Sequence, residues 1–126
     1  MNIKVMRSVH LYLGVFFAPL LFFFLISGSW QIFGLNHASK DGSYEPPAII
    51  KTLSQVHKNQ RWVDNKKVPP PSMSFRFLII LMSVGLLATT ILGIIMSFKY
   101  ARAGIVWSCL ALGFIIPALL LWIGRR

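Results

Sequence analysis

Residues 75–98 read FRFLIILMSVGLLATTILGIIMSF: 24 positions whose only charge is Arg76 at the leading edge. A bilayer core takes about 20 apolar residues per helical span. In hydrocarbon every backbone N–H and C=O must be paired within the segment, so such a stretch is helical. Two further blocks, Val9–Leu35 and Ala103–Ile123, carry no Asp, Glu, Lys or Arg beyond the edge. With 56% hydrophobic residues in 126, the composition is that of a membrane protein. The expected fold is all-α and integral to the membrane. It has three transmembrane helices, at about 9–35, 75–98 and 103–123, in a single membrane domain spanning 1–126.

The first block is preceded by Lys4 and Arg7, as a secretory signal would be. Its apolar run is about twice the length of a signal h-region and no A-x-A site follows, so it reads as an uncleaved anchor. The one cysteine, Cys109, lies inside the third block and has no disulfide partner. Trp30, Trp107, Trp122 and Tyr100 fall at span ends, where amphipathic rings prefer the headgroup level.

The loop at 36–74 holds about 40 residues. Ala48 to Arg61 reads as a short amphipathic helix, with Ile49, Ile50, Leu53, Val56 and His57 near one face and Lys51, Lys58 and Arg61 on the other. That pattern suits a helix lying on the membrane surface. Pro69-Pro70-Pro71 then forms a stiff extended lead into the second span.

The net charge is +10, from 13 Lys and Arg against 3 Asp and Glu. Without a soluble module carrying a basic face and stacking aromatics, this excludes nucleic acid as the partner. The charge instead suits anionic headgroups, making the lipid bilayer the first partner. Lys4, Arg7, Lys99 and Arg102 concentrate on one side in short segments, whereas Asp41, Glu45 and Asp64 all lie in the long loop. The positive-inside rule places the first set in the cytoplasm and the loop across the membrane.

Gly85, Thr89, Gly93 and Ser97 recur every fourth residue in the second span, a ridge of small side chains that lets a backbone or a flat ligand approach closely. Gly14 and Ala18 stand in the same relation in the first span. The ridge reads as a helix-packing surface, with a homo-oligomer or a partner membrane subunit as the expected user. No span carries a carboxylate, which argues against a proton relay. No catalytic residue is recognised.

Three histidines remain: His10, His37 and His57. Each alone also reads as an interfacial hydrogen-bonding residue. An imidazole can equally bind haem iron, and Gly14, one turn after His10, would leave room for a porphyrin plane. His10 and His37 are 27 residues apart. On one helix that is roughly 40 Å, so they cannot share a haem within one chain. His37 and His57 both lie on the loop side and could oppose each other.

Arg7-Ser-Val-His10-Leu-Tyr-Leu-Gly14, Leu25-Ile-Ser-Gly28, Leu53-Ser-Gln-Val-His57 and Thr90-Ile-Leu-Gly93 with Phe98-Lys99 occur in that order. In this the chain resembles the bacterial PepSY-associated transmembrane proteins, as a short member whose 40-residue loop has no room for a PepSY domain. The resemblance covers the spans and half the loop, and supports His10 and His57 as haem-iron ligands but does not reach His37. It implies b-type haem as cofactor and a bacterial inner-membrane location with a cytoplasmic N-terminus and a periplasmic 36–74 loop. It also implies transmembrane electron transfer, in a ferric-iron or siderophore reductase or an electron-transfer subunit. The alternative is a non-enzymatic membrane accessory or scaffold.

Overall fold

In a computed structural model, which describes residues 2–63 and 68–125, the chain folds into four helices and, among the described residues, no strand. Asp64, used in the charge reading, lies outside the described residues. Helices α1 (Ile3–Ile32), α3 (Met73–Tyr100) and α4 (Ala103–Gly124) are long and apolar enough to cross a membrane. The short α2 (Ala48–Asn59) interrupts the loop. The expected all-α membrane fold is therefore present, and the differences lie at the helix ends.

Each boundary has a local cause. α1 starts six residues before Val9, and Asn2 Oδ1 accepts the Lys4 backbone N–H at 3.1 Å, covering one of the free donors of the first turn. It stops at Ile32 because Gly34 takes a left-handed conformation (φ 68°). The Gly34 N–H then reaches the Gln31 carbonyl and the Leu35 N–H the Trp30 carbonyl, the paired bonds of a Schellman ending. α2 ends at Asn59, short of Arg61, where Gln60 turns left-handed (φ 51°). α3 starts at Met73 because the Ser72 hydroxyl caps it, accepting the Phe75 N–H at 3.2 Å. Pro19 and Pro117 sit inside α1 and α4 without ending them.

The chain groups into two compact units. One comprises Met1–Leu11 and Ala88–Arg126, the other Tyr12–Leu87. In the first, Met6 and Val106 are the buried hydrophobic side chains among the described residues, and the Phe98 and Trp107 rings meet edge-on at 5.4 Å between centroids. In the second they are Phe17 and Met82. Ser27, Ser54 and Thr89 are buried as well, Ser27 completely, whereas most Leu, Ile and Phe side chains of the long helices face outward. This inverted arrangement fits lipid as solvent: apolar side chains gain nothing by leaving hydrocarbon, while small and polar ones gain close packing and hydrogen bonds.

The small ridge of α3 is spent inside the chain. In the second unit, Gly85 lies directly against the Phe17 ring of α1, leaving no room for a Cβ. In the first, Thr89 and Gly93 face His10. The expected ridge for self-association thus serves α1–α3 packing here. Gly14 differs from the other three, since a Cβ there would meet nothing within 4 Å.

Candidate functional site

The first unit places His10, on the third turn of α1, against Thr89 and Gly93 of α3. His10 Nδ1 lies 2.7 Å from the Thr89 carbonyl oxygen. A carbonyl only accepts, so Nδ1 carries a proton, and the tautomer this selects for the uncharged ring has its lone pair on Nε2. The Thr89 hydroxyl lies 2.8 Å from the same Nδ1 and donates to the His10 carbonyl at 3.1 Å, closing a two-way clasp between the helices. Gly93 completes it by absence: a Cβ there would stand 3.2 Å from His10 Cε1. His10 and Gly93 line an open groove of about 570 Å³ that also touches Met96 and Tyr100. His10 Nε2 has no hydrogen-bond partner among the described residues.

The second unit treats His57 in a parallel way. α2 turns its Ser54 and His57 side towards the last turns of α1. The Ser27 hydroxyl donates to the Phe23 carbonyl at 2.6 Å and is thereby left to accept from His57 Nδ1, also at 2.6 Å. A second α1–α2 bond runs from Trp30 Nε1 to the Ser54 hydroxyl at 3.1 Å. The Phe24 ring lies 4.8 Å from the imidazole, and a Cβ on Gly28 would be in ordinary contact with it at 3.6 Å. Ile50, Leu53 and Val56 are partly covered, whereas Ile49, expected on the same face, is 67% exposed. Burial, then the nearby Lys58 charge, holds the His57 imidazole below its usual pKa and so favours the neutral ring.

His37 has other company. Its Nε2 faces Asn36 Nδ2 at 3.2 Å and Lys58 Nζ at 3.5 Å, and its side chain is exposed. The contacts of His57 are with Ser27, Phe24 and Gly28, not with His37. Ser27 is a site residue that the sequence analysis does not single out: beyond its bond to the Phe23 carbonyl of its own helix, it holds His57. The pairing Ser27-Gly28, one small polar and one absent side chain on adjacent positions near a span end, was the available signal.

Among the described residues no three metal-ligating side chains converge, so a free ion has no protein cage here. A haem needs none, because its own ring supplies four of the ligands and the chain only one or two. The donor chemistry fits that demand at both places: a neutral imidazole, oriented through Nδ1, with Nε2 unengaged, is the form that ligates iron. Against known proteins, no family model, no curated protein and no solved structure matches this chain.

Proposed function

We propose that this protein binds b-type haem in the bacterial inner membrane and serves transmembrane electron transfer, as a ferric-iron or siderophore reductase or a subunit of one. The observation that carries the reading is His10, whose Nδ1 is committed to the Thr89 carbonyl and whose Nε2 is left over in a groove beside Gly93. His57 repeats the logic on Ser27. When bound, haem supplies iron that cycles between ferric and ferrous states. The chain's part is to fix each imidazole's tautomer and direction, and to keep small residues where a flat ring must approach. A second imidazole for that iron would come from another copy or a partner subunit, His37 being 27 residues further along the chain. In this reading the N-terminus is cytoplasmic and the 36–74 loop periplasmic.

A second reading has one observation behind it. Along α4 only Val106 is buried, leaving a wide apolar surface that a scaffold could offer to other membrane helices. One spectrum separates the two. Membranes expressing the chain with haem supplied should yield a red protein with a Soret band that His10→Ala removes or halves. A colourless wild-type protein supports the scaffold, and a Soret band untouched by His10→Ala and His57→Ala overturns the ligand assignment.

A further inference from the structure

A groove of about 460 Å³, within the range of ligand pockets, lies in the second unit and has no histidine in its lining. Its walls are Leu20 and Phe23 of α1, Leu53 of α2, Trp62 of the loop and Phe75 of α3. Its polar lining is Gln60, Arg61 and Ser72. Leu20, Phe23 and Phe75 belong to helices long and apolar enough to span, while Ser72 caps the start of α3, so the groove reaches the level where a span begins.

The rim is built and cationic. Gln60 holds it together: its carbonyl accepts the Ser72 N–H at 2.8 Å and its Oε1 accepts from Arg76 Nε at 3.2 Å. This ties Arg76 to Gln60, the residue next to Arg61 in the chain. The Arg61 Nε is buried with no hydrogen-bond partner among the described residues. A buried guanidinium N–H left unpaired is costly, and an anion is what it lacks. The described carboxylates are engaged elsewhere, Asp41 with Ser43 and Glu45 with Lys51.

We infer that this groove is a binding site for one anionic phospholipid, an acyl chain lying along Leu20, Phe23, Leu53 and Phe75 and the phosphate meeting Arg61 and Arg76. The apolar walls call for a chain, and the unpaired guanidinium calls for a negative headgroup. A neutral lipid or an isoprenoid quinone would satisfy only the walls, and inorganic phosphate only the rim.

Native mass spectrometry of the full chain in neutral detergent tests this, with phosphatidylglycerol and phosphatidylcholine supplied in equal amounts. The expected result is one phosphatidylglycerol retained per chain in preference to phosphatidylcholine. Arg61→Gln should cut that retention about fivefold, the weight of one cation near a lipid surface, and Arg61→Lys should keep most of it. Circular dichroism on each variant checks that the helices remain. Equal retention of the two lipids, a quinone retained in their place, or phosphatidylglycerol retention unchanged in a folded Arg61→Gln protein would each overturn the assignment. None of these outcomes depends on haem.

Discussion

His10 and His57 are both held through Nδ1, but by acceptors of different kinds. At His10 the acceptor is a backbone carbonyl of α3, which cannot donate and cannot rotate away. At His57 it is the Ser27 hydroxyl, which accepts only because its own proton is drawn to the Phe23 carbonyl. The first clasp joins two long helices; the second joins a long helix to the twelve-residue α2. A carbonyl fixes a tautomer by its chemistry, a hydroxyl by its neighbour. The His10 end is therefore the more rigid, and the His57 end the one that a small change in surroundings can release.

The glycines should show the largest contrast. At Gly93 an added Cβ would crowd His10 Cε1 at 3.2 Å, whereas at Gly28 the corresponding distance to His57 is 3.6 Å. Gly93→Leu should lower unfolding free energy in mixed micelles by about 1–3 kcal/mol, as overfilled interiors do. Gly28→Ala should leave it nearly unchanged. Equal losses would mean that the two imidazoles are held with equal tolerance.

The hydroxyls should invert the order. Ser27→Ala removes the hydroxyl that accepts from His57 Nδ1 and leaves a partly covered donor unpaired, a loss of about 1–2 kcal/mol in α2 docking. Thr89→Val keeps the carbonyl that holds His10 and deletes only the reinforcing hydroxyl, which is worth about 1 kcal/mol or less. Hydrogen exchange of the α2 amides in Ser27→Ala, set beside that of the α3 amides in Thr89→Val, compares them directly. Greater loosening at Thr89→Val would show that the hydroxyl, not the carbonyl, holds His10.

Much of this was legible in sequence for physical reasons, and part was not. Three spans could be read because a hydrocarbon core imposes a length that composition reveals directly. Their ends shifted by up to six residues because caps decide ends: Asn2, Gly34, Gln60 and Ser72 act through single bonds that a hydropathy window averages away. Which faces of α1 and α3 meet was only half legible. Both helices are apolar nearly all round, so periodicity carries no facing signal. The ridge at Gly85, Thr89 and Gly93 marks one side of α3, but Gly14, the corresponding small residue of α1, meets nothing within 4 Å, and Phe17 and His10 face the ridge instead. For α2 the amphipathic pattern gave the helix, and the bonds to Ser27 and Trp30 determined its facing, which left Ile49 outside.

The topology sharpens the comparison at the scale of the whole chain. Ser43 lies in the loop on the His57 side and Tyr100 at the turn beside the His10 groove. In spheroplasts, a cysteine at Ser43 should label from outside with an impermeant maleimide, and one at Tyr100 only after permeabilisation, each in a Cys109→Ser background. Labelling of both from the same side would contradict a spanning α3.

Acidification gives the smallest effect and the most selective one. The His57 pKa lies below its ordinary value of 6.5, because burial and then Lys58 disfavour the charged ring. The unfolded or undocked α2 therefore takes up a proton before the docked one does. The stabilisation from docking the neutral ring is complete above pH 6.5 and is lost progressively as the pH falls through the lower, docked value. The groups around the ring do not reverse this. Ser27 and Phe24 are uncharged, Lys58 is cationic, and no described carboxylate contacts the ring to favour its charged form. α2 amide exchange, corrected for the intrinsic pH dependence, should rise modestly between pH 7.5 and 5.5. His57→Gln, which cannot titrate, should flatten that rise while leaving exchange in the α1 and α3 segments around His10 unchanged. A rise that persists in His57→Gln would assign the pH response to another group. A rise equal in α2 and in the segments around His10 would erase the distinction between a clasp closed by a carbonyl and one closed by a hydroxyl.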